Sequence, residues 1–463
     1  MSQSSASHAA IRSSGLPTAV RRSGRRVALL ARYPDRDPAM PQFIPNLGLY
    51  MVEAAVRASA LSGIEIKVWD ITGGDADRIA AEVIDFDPDI VGCSVFLWSF
   101  AFFLDVATAV KRDDDRRSVV FGGPSARPVM LDHEPYRQKA AAVDVLVINE
   151  GEYTFCELVE RADRSPEALD DIAGIAVRRQ GRWHETAARP LGDLNELASP
   201  YAMGLMPRGG LGLLQTYRGC PFTCSFCEWG TMESPKRVRT ADSLDVEFAA
   251  MERLGLGGVL LADAGLNLNH AAFQNLALAA KKTGFLSQRG LICEIYPAKV
   301  RQEHLDFLAA VGNPYVGVGL QSFDNKVLAN VERRYDEARF DETLRALGEV
   351  ASLAVEIIVG LPGDSPESFR RNFERARRLP CALRVYHCVV LPSALMVRSP
   401  PEHKLDYDPL SLKMRSCLGW TPTAIADEAA FLTREAARSG GRAGEYFWVF
   451  PPPASAGRQR LSA

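Results

Sequence analysis

From Arg26 onward the chain alternates short apolar runs with amphipathic stretches of helical period. Val27–Ala31 is apolar and strand-like, and Leu47–Leu61 sets small and apolar residues at helical intervals. The alternation continues with strand Ile64–Trp69, helix Ala76–Ile84, strand Asp89–Val95, helix Ala101–Lys111 and strand Ser118–Phe121. A sharp turn, Gly122-Gly123-Pro124, precedes strand Val143–Ile148, and Glu150-Gly151-Glu152 opens a helix running through Arg161. Strands separated by helices predict an α/β fold, here a Rossmann-like doubly wound parallel sheet over residues 26–170. Ligands of such sheets bind beyond the carboxyl ends of the strands.

The rhythm breaks over 171–204. Ile172–Arg179 with Arg182–Glu185 suits a small hairpin turning near Gly181, and LGDLNELASPY reads as a linker. A second series then begins at Leu211. Leu213–Tyr217 is a strand, followed by strands Gly258–Ala262, Leu291–Tyr296, Tyr315–Leu320, Val355–Val359 and Arg384–Leu391. Helices among them include Ser243–Leu254, Ala271–Thr283, Gln302–Val311, Ala338–Val350 and Pro366–Arg378. Six strands with intervening helices predict a partial (β/α)6 barrel over 205–395. Residues 396–463 lose the pattern and read as a small C-terminal extension. Its 400–450 portion, with Trp420 and Tyr446, is expected to close the barrel and shape the pocket, and its basic end to fray.

Composition narrows the class. The chain has 463 residues, 47% hydrophobic and 24% charged, which is a globular balance with room for two or three domains. A net charge of −3 supplies no basic excess, so a nucleic-acid partner is not expected. The longest uncharged stretch, Ile90 to Leu104, is too short for a spanning helix, so no membrane role is expected. Residues 1–25 are rich in Ser and Arg and free of acids. They read as a disordered basic tail, although the composition also suits a transit peptide. Nine cysteines with a single tight cluster suit reduced, cytoplasmic thiols plus a metal site better than a disulfide framework.

That cluster lies in YRGCPFTCSFCEWG, where Cys220, Cys224 and Cys227 form a C-x3-C-x2-C array. Structural zinc takes four ligands, usually in two separated pairs, and neither a second C-x-x-C nor a nearby His is present. A [4Fe–4S] cluster held by three thiolates keeps one iron open to an outside ligand, and the loop directly follows a barrel strand. Zinc or accidental thiols are the competing reading.

At this point the chain resembles the radical S-adenosylmethionine (SAM) superfamily. The resemblance implies that the open iron binds the amino and carboxylate groups of SAM, and that an electron cleaves it to a 5′-deoxyadenosyl radical. An external donor of flavodoxin or ferredoxin type is then implied. Phe226, before the third cysteine, belongs to the motif. Leu261-Ala262-Asp263-Ala264-Gly265 stands where the family has a GGE-like segment facing the SAM amino group, which makes Asp263 and Gly265 candidates despite the departure. Gly319-Leu320-Gln321-Ser322 resembles GxQS near the ribose, giving Gln321 and Ser322. Val359-Gly360-Leu361-Pro362-Gly363-Asp364 resembles GLPGET near the adenine, giving Gly360 and Leu361.

With the first domain, the resemblance is to cobalamin (B12)-dependent radical SAM enzymes, and the N-terminal sheet is then of the cobalamin-binding type. It rests on Pro45-Asn46-Leu47-Gly48, Asp87-Pro88-Asp89-Ile90-Val91-Gly92, Gly122-Gly123-Pro124-Ser125, Glu150-Gly151-Glu152 and Leu197-Ala198-Ser199-Pro200-Tyr201. The D-x-H-x-x-G motif is absent, so cobalamin would be held without a histidine on cobalt. Phe96, Leu97 and Trp98 are candidates to cover its lower face, with ordinary core as the alternative. Gly122, Gly123 and Ser125 would admit the nucleotide tail, and Glu150 is a further contact candidate. FMN or NAD is the rival cofactor, without a G-x-G-x-x-G after the first strand to support it.

The reaction implied is methylation of a carbon in a small-molecule or peptide natural-product precursor. One SAM supplies the methyl through methylcobalamin, and another supplies the radical. Cyclisation, ring contraction, oxidation and non-radical methylation of an indole carbon are alternatives, and a cobalamin- or SAM-binding regulator is a further one. Glu294 and Asp263 are candidate acids near the open iron, and Tyr296 is a candidate substrate contact. Arg237 and Arg239 are candidate partners of the SAM carboxylate, or simply a solvated basic segment. Trp229 reads as cluster packing, and His387 with Cys388 as a buried neutral pair.

Overall fold

The computed structural model describes residues 24–33, 44–161, 164–231 and 237–453. The tail expected over 1–25 lies outside them up to Ser23, as does the basic C-terminal end. The first sheet grows outward from β1 (Arg25–Tyr33), whose residues Val27 to Ala31 are all buried. Such a strand is apolar at every position because both of its faces are covered. It pairs in parallel with β2 (Ile64–Thr72) on one side and with β3 (Ile90–Ser94) on the other. Beyond β3 come β4 (Ser118–Gly122) and β5 (Val145–Val147), also parallel. The order β2-β1-β3-β4-β5 reverses direction between β1 and β3, and such a switch point opens a crevice at the carboxyl ends of the strands.

The hairpin read as part of a linker region is instead built into this sheet. β6 (Ile175–Arg179) pairs antiparallel with β5, and β7 (Arg182–Glu185) with β6, giving seven strands in all. Ile175, Ala176 and Val177 are fully or almost fully buried and satisfy the backbone of an otherwise bare β5 edge.

The second sheet carries β8 (Leu211–Leu214), β9 (Gly258–Leu261), β10 (Gly290–Ile295), β11 (Asn313–Gln321), β12 (Ser352–Val359) and β13 (Ala382–His387). All are parallel and in sequential order, and β8 and β13 do not pair with each other, as a partial barrel requires. Caps punctuate the helices between them. Thr240, Asn269, Asp336 and Ser365 each accept a first-turn backbone N–H at the starts of helices Ala241–Arg253, His270–Thr283, Glu337–Val350 and Pro366–Ala376.

The C-terminal extension does not lose regular structure. After a small ribbon, β14 (Asp406–Tyr407) with β15 (Met414–Ser416), a helix spans Pro422–Arg438. Thr421 caps it and Pro422 opens it. β16 (Arg442–Ala443) then pairs with β17 (Phe447–Phe450), which adds antiparallel to the free edge of β13. Between β13 and that helix the chain bridges both sheets. Leu412 is fully buried in the core of the first sheet, and Tyr136 donates to the Leu410 carbonyl at 3.1 Å. No helix among the described residues is long and apolar enough to cross a membrane.

Candidate functional site

The approach to the cysteine loop is locked by one carboxylate. Asp263, just past β9, accepts the backbone N–H of Thr216 at 2.8 Å and of Tyr217 at 3.4 Å, together with the Thr216 hydroxyl. Tyr217, itself buried, donates to the Gly265 carbonyl at 2.8 Å. Burial raises the Asp263 pKa to about 7, against the hydrogen bonds from Thr216 and Tyr217. The carboxylate is therefore spent on the strand-to-loop corner. It does not project as an acid into the barrel mouth, contrary to the sequence-based expectation. Gly265 likewise serves this corner, through its carbonyl.

The loop itself holds three cysteines outside any disulfide, Cys224 buried and Cys220 and Cys227 half-buried. Burial raises the Cys220 pKa, while the Phe222 backbone, Arg333 and Lys299 oppose that shift. Arg333 places Nη1 3.9 Å from Cys224 Sγ, donates to the Gly319 carbonyl and lies over the Tyr296 ring. Tyr296 stacks on Phe222 with centroids 4.6 Å apart, and its hydroxyl donates to the Arg334 carbonyl at 3.3 Å. It is thus a wall of the cysteine loop. Phe226 packs against the barrel core. Among the described residues no three His, Cys, Asp or Glu side chains converge on a single-ion site.

At the β11 end the ladder with β12 slips between Gly319 and Gln321, and Gln321 adopts φ 73°. Ser322 is buried, and its hydroxyl accepts from the Asp324 backbone and from Asn372 Nδ2, both at 3.1 Å. It shapes the turn. At the β12 end Gly360 has φ 89°, while Leu361 is fully buried with its carbonyl taken by Trp420 Nε1 at 3.1 Å. The Gly319 carbonyl is taken by Arg333 and the Gly360 carbonyl by Cys417 Sγ at 3.5 Å. Gly319 and Gln321 stay half-buried, whereas Gly360, Ser322 and Leu361 are buried.

Glu294 joins a polar cluster formed by strands β10 to β13. Glu356 accepts from Arg384 Nη1 at 3.3 Å and from the Tyr386 hydroxyl at 3.2 Å. Burial, and then repulsion from Glu356, raise the Glu294 pKa well above the carboxylate range. At the edge of the barrel His387 packs on Trp448, with ring centroids 4.5 Å apart, and burial with nearby Lys413 lowers its pKa to about 4. It is half-buried against the ring of Trp448. Because its folded pKa lies below the unfolded value, its contribution is present above about pH 6.5 and lost as pH falls toward 4. Denaturant titrations at pH 7 and 4.5 are expected to show native stability dropping ~2–3 kcal/mol more than that of His387→Asn.

A cavity of about 480 Å3 lies beyond the carboxyl ends of β3, β4 and β5. Its lining passes from Gly92, Gly122, Gly123 and Gly151 to Glu228 and Trp229, immediately after the third cysteine, and to Ser393 beyond β13. Leu29, Leu49, Val52, Val120, Val147 and Phe155 give it an apolar wall. Phe96 and Glu150 line it, while Leu97, Trp98 and Ser125 do not. Leu97 packs into the core, Trp98 stacks behind Phe96 with centroids 4.7 Å apart, and Ser125 is buried with its N–H on the Val95 carbonyl. Trp229 belongs to this cavity wall, whether or not it also packs a cluster. No histidine is among the lining residues.

Ion pairs clamp this cavity to the barrel. Arg218 reaches Glu152 at 2.5 Å and Glu150 at 3.2 Å, and Arg237 also binds Glu150 at 2.5 Å. Burial alone would raise the Glu150 pKa, but Arg237 and Arg218 bring it below the ordinary value. Arg239 pairs with Glu247 at 3.2 Å. Neither Arg237 nor Arg239 is free for a carboxylate ligand, nor is either a solvated segment. Sequence reading missed Arg218 in this role because its partners lie more than sixty positions away, and it missed Arg333 and Arg398 for the same reason. Arg218→Met would strand Glu152, with 8% side-chain exposure, and leave Glu150 to Arg237 alone. Equilibrium unfolding is expected to show a loss of about 3–5 kcal/mol.

Residues 39–159 match the B12 binding domain family, and residues 214–376 match the radical SAM superfamily. The chain is 27% identical over 403 residues to a 2-(S-pantetheinyl)-carbapenam-3-carboxylate methyltransferase of Streptantibioticus cattleyicolor, covering 81% of this chain and 56% of that protein. It is also 27% identical to the cobalamin-dependent radical SAM methyltransferase TokK of Streptomyces tokunonensis, covering 66% and 48%. The chain thus spans about half the length of these curated relatives. Among solved structures, TsrM from Kitasatospora setae superposes with a TM-score of 0.63 at 20% identity, covering 88% of this chain and 91% of that one. OxsB superposes with a TM-score of 0.67 at 15% identity, covering 90% and 67%. A B12-binding domain followed by a radical SAM domain, on a fold shared with TsrM and OxsB, places the chain in the family of B12-binding-domain radical SAM enzymes.

Proposed function

We propose that the chain is a cobalamin-dependent radical SAM methyltransferase acting on a carbon of a small-molecule or peptide precursor. The observation that carries this is the cavity whose lining runs from the glycine-rich ends of β3–β5 to Glu228 and Trp229, beside the cysteine loop. The residues fit the three cofactors. Cys220, Cys224 and Cys227 lie on one loop and outside any disulfide, suited to hold a [4Fe–4S] cluster at three corners. Gln321, half-buried with φ 73° at the end of β11, is the backbone position offered to SAM. Gly122, Gly123 and Gly151 line a largely apolar recess suited to the nucleotide tail of cobalamin, and Phe96 is the residue to cover a corrin face without an imidazole.

When bound, these groups supply one-electron cleavage and methyl transfer, which side chains cannot perform. The protein's own work is placement and exclusion of water. Arg218, Arg237, Glu150 and Glu152 hold the two sheets together across the cavity, and Trp229 and Phe96 give it aromatic walls. The methyltransferase names of two relatives support methylation over cyclisation or oxidation. An external one-electron donor completes the scheme.

Anaerobic purification followed by iron, sulfide and cobalamin analysis tests the cofactors. Incubation with methyl-labelled SAM and a reductant is then expected to yield 5′-deoxyadenosine and S-adenosylhomocysteine. A reconstituted chain that makes neither product contradicts the proposal.

A further inference from the structure

The segment between β13 and the ribbon β14–β15 touches both halves of the site at once. The Ser393 backbone N–H donates to Glu228 Oε1 at 3.0 Å, one residue past Cys227. The Ser393 hydroxyl accepts from Arg127 Nε at 3.1 Å, and Arg127 comes from the loop after β4 and lines the cavity. Five residues on, at the end of the short helix Leu395–Arg398, a single guanidinium gathers the cysteine loop. Arg398 donates to the carbonyls of Thr223 at 3.2 Å, Cys224 at 3.0 Å and Cys227 at 2.6 Å. Its Nε is buried and has no acceptor among the described residues.

The Cys227 N–H donates to the Cys224 carbonyl at 3.0 Å, and the Arg398 fork clamps that turn from outside the motif by binding three of its carbonyls. A buried guanidinium N–H without an acceptor among the described residues, on a side chain bound to the cysteine loop, suits an acceptor that the chain does not itself provide, such as a cluster sulfide. We propose that Arg398 is a positioning residue for the cluster: it fixes the cysteine-loop backbone and lends the cluster a positive charge. This rests on the cluster reading above. The Ser393–Arg398 segment also joins the loop to Arg127 at the cavity wall.

The test uses the full chain in two states. In the metal-free protein, Arg398→Ala is expected to speed alkylation of Cys224 and Cys227, resolved by mass spectrometry, at least about tenfold, the weight of one lost charge-assisted hydrogen bond. In the reconstituted protein the same variant is expected to lose iron faster and to show a more negative cluster potential, since a positive charge that favoured the reduced state is gone. Arg398→Lys keeps the charge without the fork, so its potential stays near native while its thiols still react faster. Native thiol rates and native potential in Arg398→Ala overturn the proposal. If that variant fails to fold, native thiol rates in Arg398→Lys overturn it instead. A native chain that takes up no iron sinks the enzyme reading, and the metal-free thiol rates still decide whether Arg398 sets the loop.

Discussion

Cys224→Ala is expected to abolish cluster assembly and to drop product formation by at least about 10^3-fold, down to background. Cys224 is the most enclosed of the three thiols, at 7% exposure, and Arg333 and Arg398 both address it. With only two thiolates left, the loop has too few ligands for a cubic cluster, and without a cluster no electron reaches a sulfonium. The loss is not one of folding. Removing a single sulfur costs about 1 kcal/mol, and the backbone contacts of the loop to Val331 and Arg398 remain. Iron and sulfide analysis, absorbance near 400 nm (roughly, as for thiolate-bound clusters) and circular dichroism check each part. Cys156→Ala, on helix Glu152–Glu160, is the control expected to keep both iron and product. Native iron content in Cys224→Ala would contradict the assignment.

The second large effect is expected at Gly122. Its backbone lies outside the left-handed region, and a β-carbon there would meet Val147 at an ordinary 3.8 Å. A leucine therefore enters without backbone strain and extends its branch into the cavity of about 480 Å3. Gly122→Leu is expected to fold and to assemble its iron–sulfur cluster, yet to retain less than about a tenth of the native cobalamin, the cost of one lost tight contact surface. Gly123 is a poor probe. It holds φ 97°, and a β-carbon there would sit 2.9 Å from the Val95 carbonyl, so its substitution confounds folding with binding. Cobalamin extraction, thermal melting and iron content separate the two. Full cobalamin occupancy in Gly122→Leu would place the cofactor elsewhere.

The chemistry of the cysteine loop was legible because thiol spacing is a local property, and C-x3-C-x2-C carries its meaning wherever it folds. Both sheets were legible as well. Buried parallel strands read as unbroken apolar runs, and the helices between them carry polar caps such as Thr240 and Ser365. The signal for helix Pro422–Arg438 was also present, in its Thr-Pro start and the Gly-Gly pair that follows it, but the irregular stretch before it hid the rhythm. The attachment of β6 and β17 to sheet edges had no local signal, because an edge strand is defined by the partner it finds.

The amino-acid order alone therefore determined the two α/β units, their sequence along the chain and the close grouping of three thiols, all of which follow from short-range periodicity and spacing. Tertiary structure decided which polar residues are free for ligands. Asp263, Ser322, Arg237 and Arg239 look like ligand groups along the chain, yet each is consumed by a neighbour in space. Arg398 looks like a surface cation, yet it gathers three carbonyls of a loop more than 170 positions away. A buried charge or hydroxyl must find a partner, and which partner it finds depends on packing between distant segments, which no local pattern encodes.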